Sequence, residues 1–296
     1  MLRVLELFSG IGGMHCALDL VDLNYEIIAA IDINPIANLV YSSNFPDVPI
    51  MNRTIEGIPL NQWEKWHADI WLMSPPCQPF TRQGKQEDLN DRRTNAHQLL
   101  LNTLETYNYY YQQYLLSPIQ FGIPNSRLRY YLIAKQEEKS IDIHSSLIQT
   151  QNSFYENDQI TNKCSHSSEI LIDSNQLMLI NDFLISNENS NFELDEKQLK
   201  RALHVCDIIT CHAKRSFCFT KSYGKYFEGT GSLIRTLSNR IRYFTPQEIA
   251  NLHCFPLNYH FPEQITIRQA YSLLGNSLNV FVVGVLLENL FERSST

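Results

Sequence analysis

Arg3-Val-Leu-Glu-Leu-Phe-Ser-Gly-Ile-Gly-Gly13 is the stretch that decides the fold. Arg3 to Leu7 reads as a short β-strand, Phe8 to Gly13 as a glycine turn, and Met14-His-Cys-Ala-Leu-Asp-Leu20 as the helix that follows. Ile27-Ile-Ala-Ala-Ile31 is a second apolar run, and it ends at Asp32. Together these make the opening βαβ unit of an α/β, doubly wound, mostly parallel sheet, in which ligands sit beyond the carboxyl ends of the strands. The glycines let backbone amides approach a ligand closely. Asp32, 22 residues after Gly10, stands where a carboxylate accepts hydrogen bonds from ribose hydroxyls. As a dinucleotide fingerprint the turn is defective, because His15 occupies the place of the third glycine. A nicotinamide enzyme is therefore a poor fit.

A second stretch carries the chemistry. The apolar run Asp69-Ile-Trp-Leu-Met73 leads into Ser74-Pro-Pro-Cys-Gln-Pro-Phe80. Proline fixes φ and cannot donate to a sheet ladder, so the double proline ends strand pairing and holds Cys77 in a defined, non-helical pose. A free cysteine is ordinarily a small buried hydrophobe; this setting suits a nucleophile better.

Size and composition narrow the class. With 296 residues the chain can bury the core of one large α/β domain or two unequal ones. No signal-peptide pattern and no membrane-length apolar run is read from the sequence, so no membrane is expected and the chain is expected to be soluble and intracellular, in the cytoplasm, the nucleus or both. Seven cysteines at irregular spacings fit neither a disulfide framework nor a paired zinc pattern. Cys206, Cys211, His212 and Cys218 lack the second CxxC or HxxxH that a metal site needs, so no metal is expected.

The net charge of −7 argues against wholesale nucleic-acid binding, but its distribution is uneven. Residues 136–200 hold twelve Asp and Glu against four Lys and Arg, among Asn, Ser and Gln, and read as an acidic linker or insertion. Residues 201–242 hold eight Lys and Arg against Asp207 and Glu228. Such a patch can meet phosphate. Interleaved Phe217, Phe219, Tyr223, Tyr226 and Phe227 favour nucleic acid, because unpaired bases stack on such rings.

In this order and at these distances, Phe8-Ser-Gly-Ile-Gly-Gly13, Asp32 and Pro75-Pro-Cys-Gln78 resemble the C5-cytosine methyltransferases that use S-adenosylmethionine. Gly122-Ile-Pro-Asn-Ser-Arg-Leu-Arg129 resembles the family's arginine motif, and Leu274-Gly-Asn-Ser-Leu-Asn-Val280 its last, cofactor-side motif. Within the family, Cys218-Phe-Thr220, Tyr223-Gly-Lys-Tyr-Phe-Glu-Gly-Thr-Gly-Ser232 and Arg242-Tyr-Phe-Thr-Pro-Gln-Glu-Ile-Ala-Asn-Leu252 resemble the group that methylates cytosine 38 in the tRNA anticodon loop. The resemblance implies a Rossmann-like methyltransferase domain over residues 1–135 and 243–296, with a small target-recognition segment at 201–242. It implies cofactor contacts at Phe8, Ile11, Gly12, Gly13, Asp32, Ile33, Ile55, Glu56, Asn276 and Ser277. It also implies Cys77 as the thiolate that adds to cytosine C6, Arg129 as the donor to O2, Arg127 as a brace for substrate or phosphate, and Gln78, Cys218, Phe219, Thr220 and Lys221 at the substrate. Arg127-Leu-Arg129, before the strand Tyr130 to Ala134, places both arginines on one face, which a surface role would equally allow.

One family element is missing. A Glu-Asn-Val motif, whose glutamate holds cytosine N3 and the amino group, belongs between the cysteine loop and the arginine motif. From Arg93 the chain runs through Glu105 to Tyr114 and straight into Leu115-Leu-Ser-Pro118, with room for one helix and one strand. The sheet is thus expected to lack a strand and a helix and to carry a gap or an exposed edge. Glu105 is a conceivable substitute, although solvated surface is the commoner fate of such a helical residue. Three readings follow: a tRNA methyltransferase, a catalytically impaired form that keeps cofactor and RNA binding, and a DNA C5-methyltransferase.

Overall fold

The computed structural model describes residues 1–75, 92–136 (side chains from residue 97), 177–185 and 190–291. Cys77 and Gln78, and most of the acidic segment 136–200, lie outside the described residues. The chain divides into two compact units, the first made of Met1–Met73, Ser117–Leu128 and Ile172–Leu287, the second of Ser74–Leu116, Arg129–Leu171 and Glu288–Thr296.

The first unit opens as the βαβ reading requires. β1 (Leu2–Leu7), α1 (Gly13–Leu18), β2 (Tyr25–Ile31), α2 (Pro35–Asn44), β3 (Ile50–Met51), α3 (Leu60–Trp66) and β4 (Ile70–Met73) follow in order. The strands form one parallel sheet in the order β3-β2-β1-β4. A central parallel strand is covered on both faces and so needs apolar residues at successive positions. β1 meets that need, with Val4 and Leu5 fully buried. Leu5, Leu7, Ala29 and Ile31 close on Ile58 and Trp66 to fill one face. α2 starts at an N-cap, where the Asn34 side chain accepts from the Ile36 amide at 3.1 Å and Pro35 supplies the first helical residue.

β4 pairs with β1 alone, so the parallel sheet ends there among the described residues. In the second unit α4 (Arg92–Thr106) leads through Tyr107-Asn-Tyr109 into β5 (Tyr110–Leu116), which among the described residues pairs only with β6 (Arg129–Lys135), antiparallel. Among the described residues one helix and one strand thus lie between the cysteine loop and the arginine motif.

The rest of the first unit carries the basic segment. α5 (Glu196–Val205) precedes a small mixed sheet of β7 (Asp207–Thr210), β8 (Ser232–Arg235) and β9 (Ile241–Arg242). α6 (Pro246–Leu252), α7 (Ile267–Asn276) and α8 (Val280–Phe291) complete the chain. Contrary to the expectation of no membrane-length apolar run, Ile267–Phe291 is long and apolar enough by composition, yet 61 % of its most apolar window is buried. The reason is core packing: Leu273 and Leu274 of α7 and Val280, Val282, Val283, Leu286 and Leu287 of α8 are all buried, and Asn279 separates the helices, accepting from the Val282 amide at 3.1 Å.

Candidate cofactor and target-base site

The glycine turn leaves β1 with Phe8 at φ 54°, Gly10 at 54° and Gly12 at 82°. Positive φ is uncommon for a bulky residue, and strained backbone of this kind collects where a ligand is held. Gly12 is obligatory on two counts, since a Cβ there would also lie 2.6 Å from Cε2 of Phe45. Asp32, at the carboxyl end of β2, fixes the turn from the side: its Oδ2 accepts from the Gly10 amide at 2.9 Å and its Oδ1 from the Asn34 amide at 2.8 Å. An ionised carboxylate has about four lone-pair sites, so two remain for hydroxyl donors.

Ile33, directly after Asp32, is 63 % exposed, and Ile55 is half-buried against the core beside Phe8. These are apolar surfaces of the kind a purine ring covers. Glu56 is exposed in the short 3-10 turn Ile55–Gly57. Ile11 is buried, and its carbonyl accepts from the Tyr259 hydroxyl at 2.6 Å. Tyr259, 248 residues away, thereby orients the turn; no local signal in the sequence marks it. Among the described residues the buried Ser9 Oγ and Asn38 Oδ1 have no hydrogen-bond partner. Buried polar atoms are nearly always satisfied. Two orphans beside an open glycine turn and a carboxylate with spare acceptor sites fit a nucleoside ligand that also carries amino-acid groups.

Beneath the turn lies a buried polar chain that the sequence reading passed over. Glu6 Oε2 accepts from the Tyr41 hydroxyl at 2.7 Å, that hydroxyl lies 3.0 Å from His15 Nδ1, and the His15 ring stacks on Phe45 at 3.8 Å between centroids. Burial pushes the Glu6 carboxyl up from 4.5 to about 8, against the opposing pull of the Tyr41 hydrogen bond. Burial pushes His15 down from 6.5 to about 4. Both groups are therefore neutral at pH 7, and the stack that presses on Gly12 carries no net charge.

The linkage signs are opposite. The folded state holds the Glu6 proton that the unfolded chain releases above about pH 4.5, so this group's contribution to stability falls as pH rises to about 8. The folded state refuses the His15 proton that the unfolded chain takes up below about 6.5, so this contribution rises with pH from about 4. Between about 4.5 and 6.5 the two slopes cancel. Urea unfolding of Glu6→Gln beside wild type should show wild-type stability falling, relative to the variant, by about 1.4 kcal/mol per pH unit across that window and on to about pH 8, then levelling. Parallel profiles would show that Glu6 is ionised in the folded protein.

The last motif closes on the turn from the other side. Ser277 caps α7, and Ser277 and Leu278 pack on Gly13. Asn276 is exposed at the helix end. Gly275 allows the closest approach in the unit, because any Cβ there would overlap the backbone of Thr220 and Lys221. The link is reinforced by Arg127, 1 % exposed, whose Nη1 donates to the Phe219 carbonyl at 3.0 Å and to Cys218 Sγ at 3.4 Å. Its Nη2 donates to the Gly275 carbonyl at 3.0 Å and to the Ser277 carbonyl. Cofactor-side motif and recognition segment are thus tied through one guanidinium, whose planar fork matches several carbonyls at once.

The structure revises several expectations. Arg127 and Arg129 do not share a strand face: Arg127 is buried in the first unit, and Arg129 begins β6, half-exposed, in the second. Phe219 and Tyr223 are 1 % and 2 % exposed, packed edge-to-face on each other and on Phe244 and Tyr271, so their rings are core rather than stacking platforms. Arg242 leaves the basic surface altogether, in a fully buried bidentate pair with Glu248 at 2.8 and 2.9 Å. Thr220 is half-buried, its amide bonded to the Thr230 carbonyl at 2.9 Å, and Lys221 is exposed. Glu105 is exposed on α4 and accepts from the Tyr111 hydroxyl at 2.9 Å. Among the described residues no cluster of three or more His, Cys, Asp or Glu is placed to hold a metal ion.

Comparison with known proteins identifies relatives of the chain. The family model for C-5 cytosine-specific DNA methylase matches residues 2–96 and 89–292. The human protein named tRNA (cytosine(38)-C(5))-methyltransferase is 37 % identical over 388 aligned positions, which cover 98 % of this chain and 99 % of the relative. A Dictyostelium discoideum protein named DNA (cytosine-5)-methyltransferase is 34 % identical over 357 positions, covering 98 % and 94 %. Both alignments are longer than the chain itself, so internal segments of these relatives have no counterpart here. A crystal structure of a Spodoptera frugiperda DNMT2 with three substitutions superposes with a TM-score of 0.77 at 33 % identity, covering 99 % of this chain and all of that one.

Proposed function

Because this chain belongs to the C-5 cytosine-specific DNA methylase family, we propose that it transfers a methyl group from S-adenosylmethionine to C5 of cytosine 38 in a tRNA anticodon loop. One observation carries the reading beyond family membership: Arg127 binds the recognition segment at Cys218 and Phe219 to the cofactor-side carbonyls of Gly275 and Ser277. A methyl transferase must bring donor and acceptor into one frame, and a clamp between these two segments supports that reading.

S-adenosylmethionine, when bound, supplies an electrophilic methyl group. Phe8, Ile11, Gly12, Gly13, Asp32, Ile33, Ile55, Glu56, Asn276 and Ser277 are the residues proposed to hold it, Asp32 through ribose hydroxyls and Ile33 with Ile55 through adenine. Cytosine C5 is a poor nucleophile, so a thiolate must first add at C6. That thiolate is proposed to be Cys77, outside the described residues. Formation of the S–C6 bond moves an electron pair toward C5 and negative charge toward O2 and N3, where Arg129 is the proposed donor to O2. After C5 is methylated, a base removes the C5 proton, the pair reforms the C5–C6 double bond, and the C6–S bond breaks to restore Cys77. Gln78, Thr220, Lys221, Cys218 and the backbone of Phe219 are proposed to line the substrate, with Arg127 acting through them as a positioning residue.

Labelled methyl transfer to tRNA and to duplex DNA, with the modified base mapped, tests the reading. Label is expected at tRNA cytosine 38 and not on duplex DNA; label on DNA alone would overturn it. A catalytically impaired reading is supported by the parallel sheet, which among the described residues ends at β4. The proposed setting is the cytoplasm, the nucleus or both.

A further inference from the structure

Among the aromatic residues of the recognition segment, Phe219 and Tyr223 are core, and Phe227 lies flat on Tyr243. Phe217 differs. Its ring is 46 % exposed while its backbone is fastened on both sides: its amide donates to Ser232 Oγ at 2.8 Å, and its carbonyl accepts from Asn125 Nδ2 at 3.2 Å. The preceding residue is held as firmly, with the Ser216 carbonyl accepting from the Ser126 amide at 2.9 Å and Ser216 Oγ donating to the Pro124 carbonyl at 2.7 Å.

A single carboxylate organises both the backbone and the ring. Asp207 Oδ2 accepts from Ser232 Oγ at 2.5 Å, and Asp207 Oδ1 accepts from Arg215 Nη2 at 3.3 Å, which sets the Arg215 guanidinium 5.2 Å from the centroid of the Phe217 ring. Exposed phenylalanines scattered singly need no explanation. One with its backbone pinned to two other segments and a cation held against its ring has no such account in the core, because the ring fills no hole there. Tyr226 also carries a cation, Lys225 at 4.9 Å, but its backbone is bonded only within its own loop, to Ser222 and Thr230.

Phe217 directly precedes Cys218, which Arg127 ties to the cofactor-side motif. A base that is to react must leave its stack, so its neighbours lose a stacking partner. We infer that Phe217, with Arg215 against its ring, is the stacking platform for an unpaired base next to the target cytosine. This rests on the tRNA reading above and assigns a residue to it. The ring replaces lost base stacking, and the guanidinium, with one donor on Asp207 and its side chain 54 % exposed, has donors left for the adjoining phosphate.

The test uses the full chain, a tRNA anticodon stem-loop with 2-aminopurine beside the target cytosine, and the variants Phe217→Ala, Phe217→Trp and Tyr226→Ala. Base–aromatic stacking is worth about 1–3 kcal/mol per base, so Phe217→Ala should weaken binding by roughly 5- to 150-fold and abolish the quenching of 2-aminopurine. Phe217→Trp should restore both. The melting temperature and the affinity for S-adenosylmethionine should stay as in wild type, because the ring is not core. Wild-type affinity and quenching in Phe217→Ala, or loss confined to Tyr226→Ala, would overturn the platform. A wild-type chain that binds and quenches without transferring methyl leaves the platform standing and sinks the enzymatic reading; a wild-type chain that binds no tRNA overturns both.

Discussion

Alanine at Cys77 should reduce methyl transfer to tRNA by at least about 10⁴-fold, the scale seen when a covalent nucleophile is removed from a site whose other groups remain. Affinity for S-adenosylmethionine should not change, since the cofactor is proposed to be held by the glycine turn, Asp32 and Ser277 and not by the Cys77 thiol. Cys16, Cys206 and Cys254 are poor replacements. Burial pushes the Cys254 thiol up to about 11 and the Cys16 thiol higher still, and it raises that of Cys206 as well. A thiol held protonated cannot add to C6 at neutral pH. Transfer to tRNA that survives Cys77→Ala, measured with labelled cofactor, would therefore remove Cys77 from the mechanism.

The elements that were legible in the sequence are those whose information is local. Val4 to Leu7 and Ile27 to Ile31 announce buried parallel strands because each is apolar at successive positions, and Gly10 and Gly12 announce the turn because its positive φ excludes most side chains. Asp32 could be placed by its distance from Gly10 and takes the Gly10 amide as a partner. What failed to show depends on partners far along the chain. Basic and aromatic residues alternate from Arg201 to Arg242, and nothing in that alternation says that Phe219 will pack on Phe244, or that Arg242 will be drawn inside by Glu248. Tyr259 reaching Ile11, and Tyr41 joining Glu6 to His15, are equally non-local. A buried arginine is costly unless fully paired, and the sequence leaves Arg127 between a brace for substrate or phosphate and a surface role. Four acceptors contributed by residues 218, 219, 275 and 277 bury it instead, and only the fold assembles them.

Among the described residues β4 is the last strand of its sheet, and one helix, Arg92–Thr106, follows it before β5. Among the described residues of that span, Glu105 does not replace the family's carboxylate simply, because it is exposed and engaged by Tyr111. Adduct formation at C6 puts charge on N3 as well as O2, and one preorganised partner in such a site is commonly worth about 10²- to 10³-fold in rate. Inserting the family's Glu-Asn-Val strand and helix between the cysteine loop and β5 should therefore raise kcat on tRNA by about 10²- to 10³-fold. The same insertion with Gln in place of the motif's Glu should gain stability, by covering the edge of β4, and little rate. Urea unfolding and single-turnover methyl transfer separate the two effects. Equal rates from the Glu and Gln insertions would show that the chain lost a structural strand and not a catalytic group, because the only difference between them is the carboxylate that meets N3.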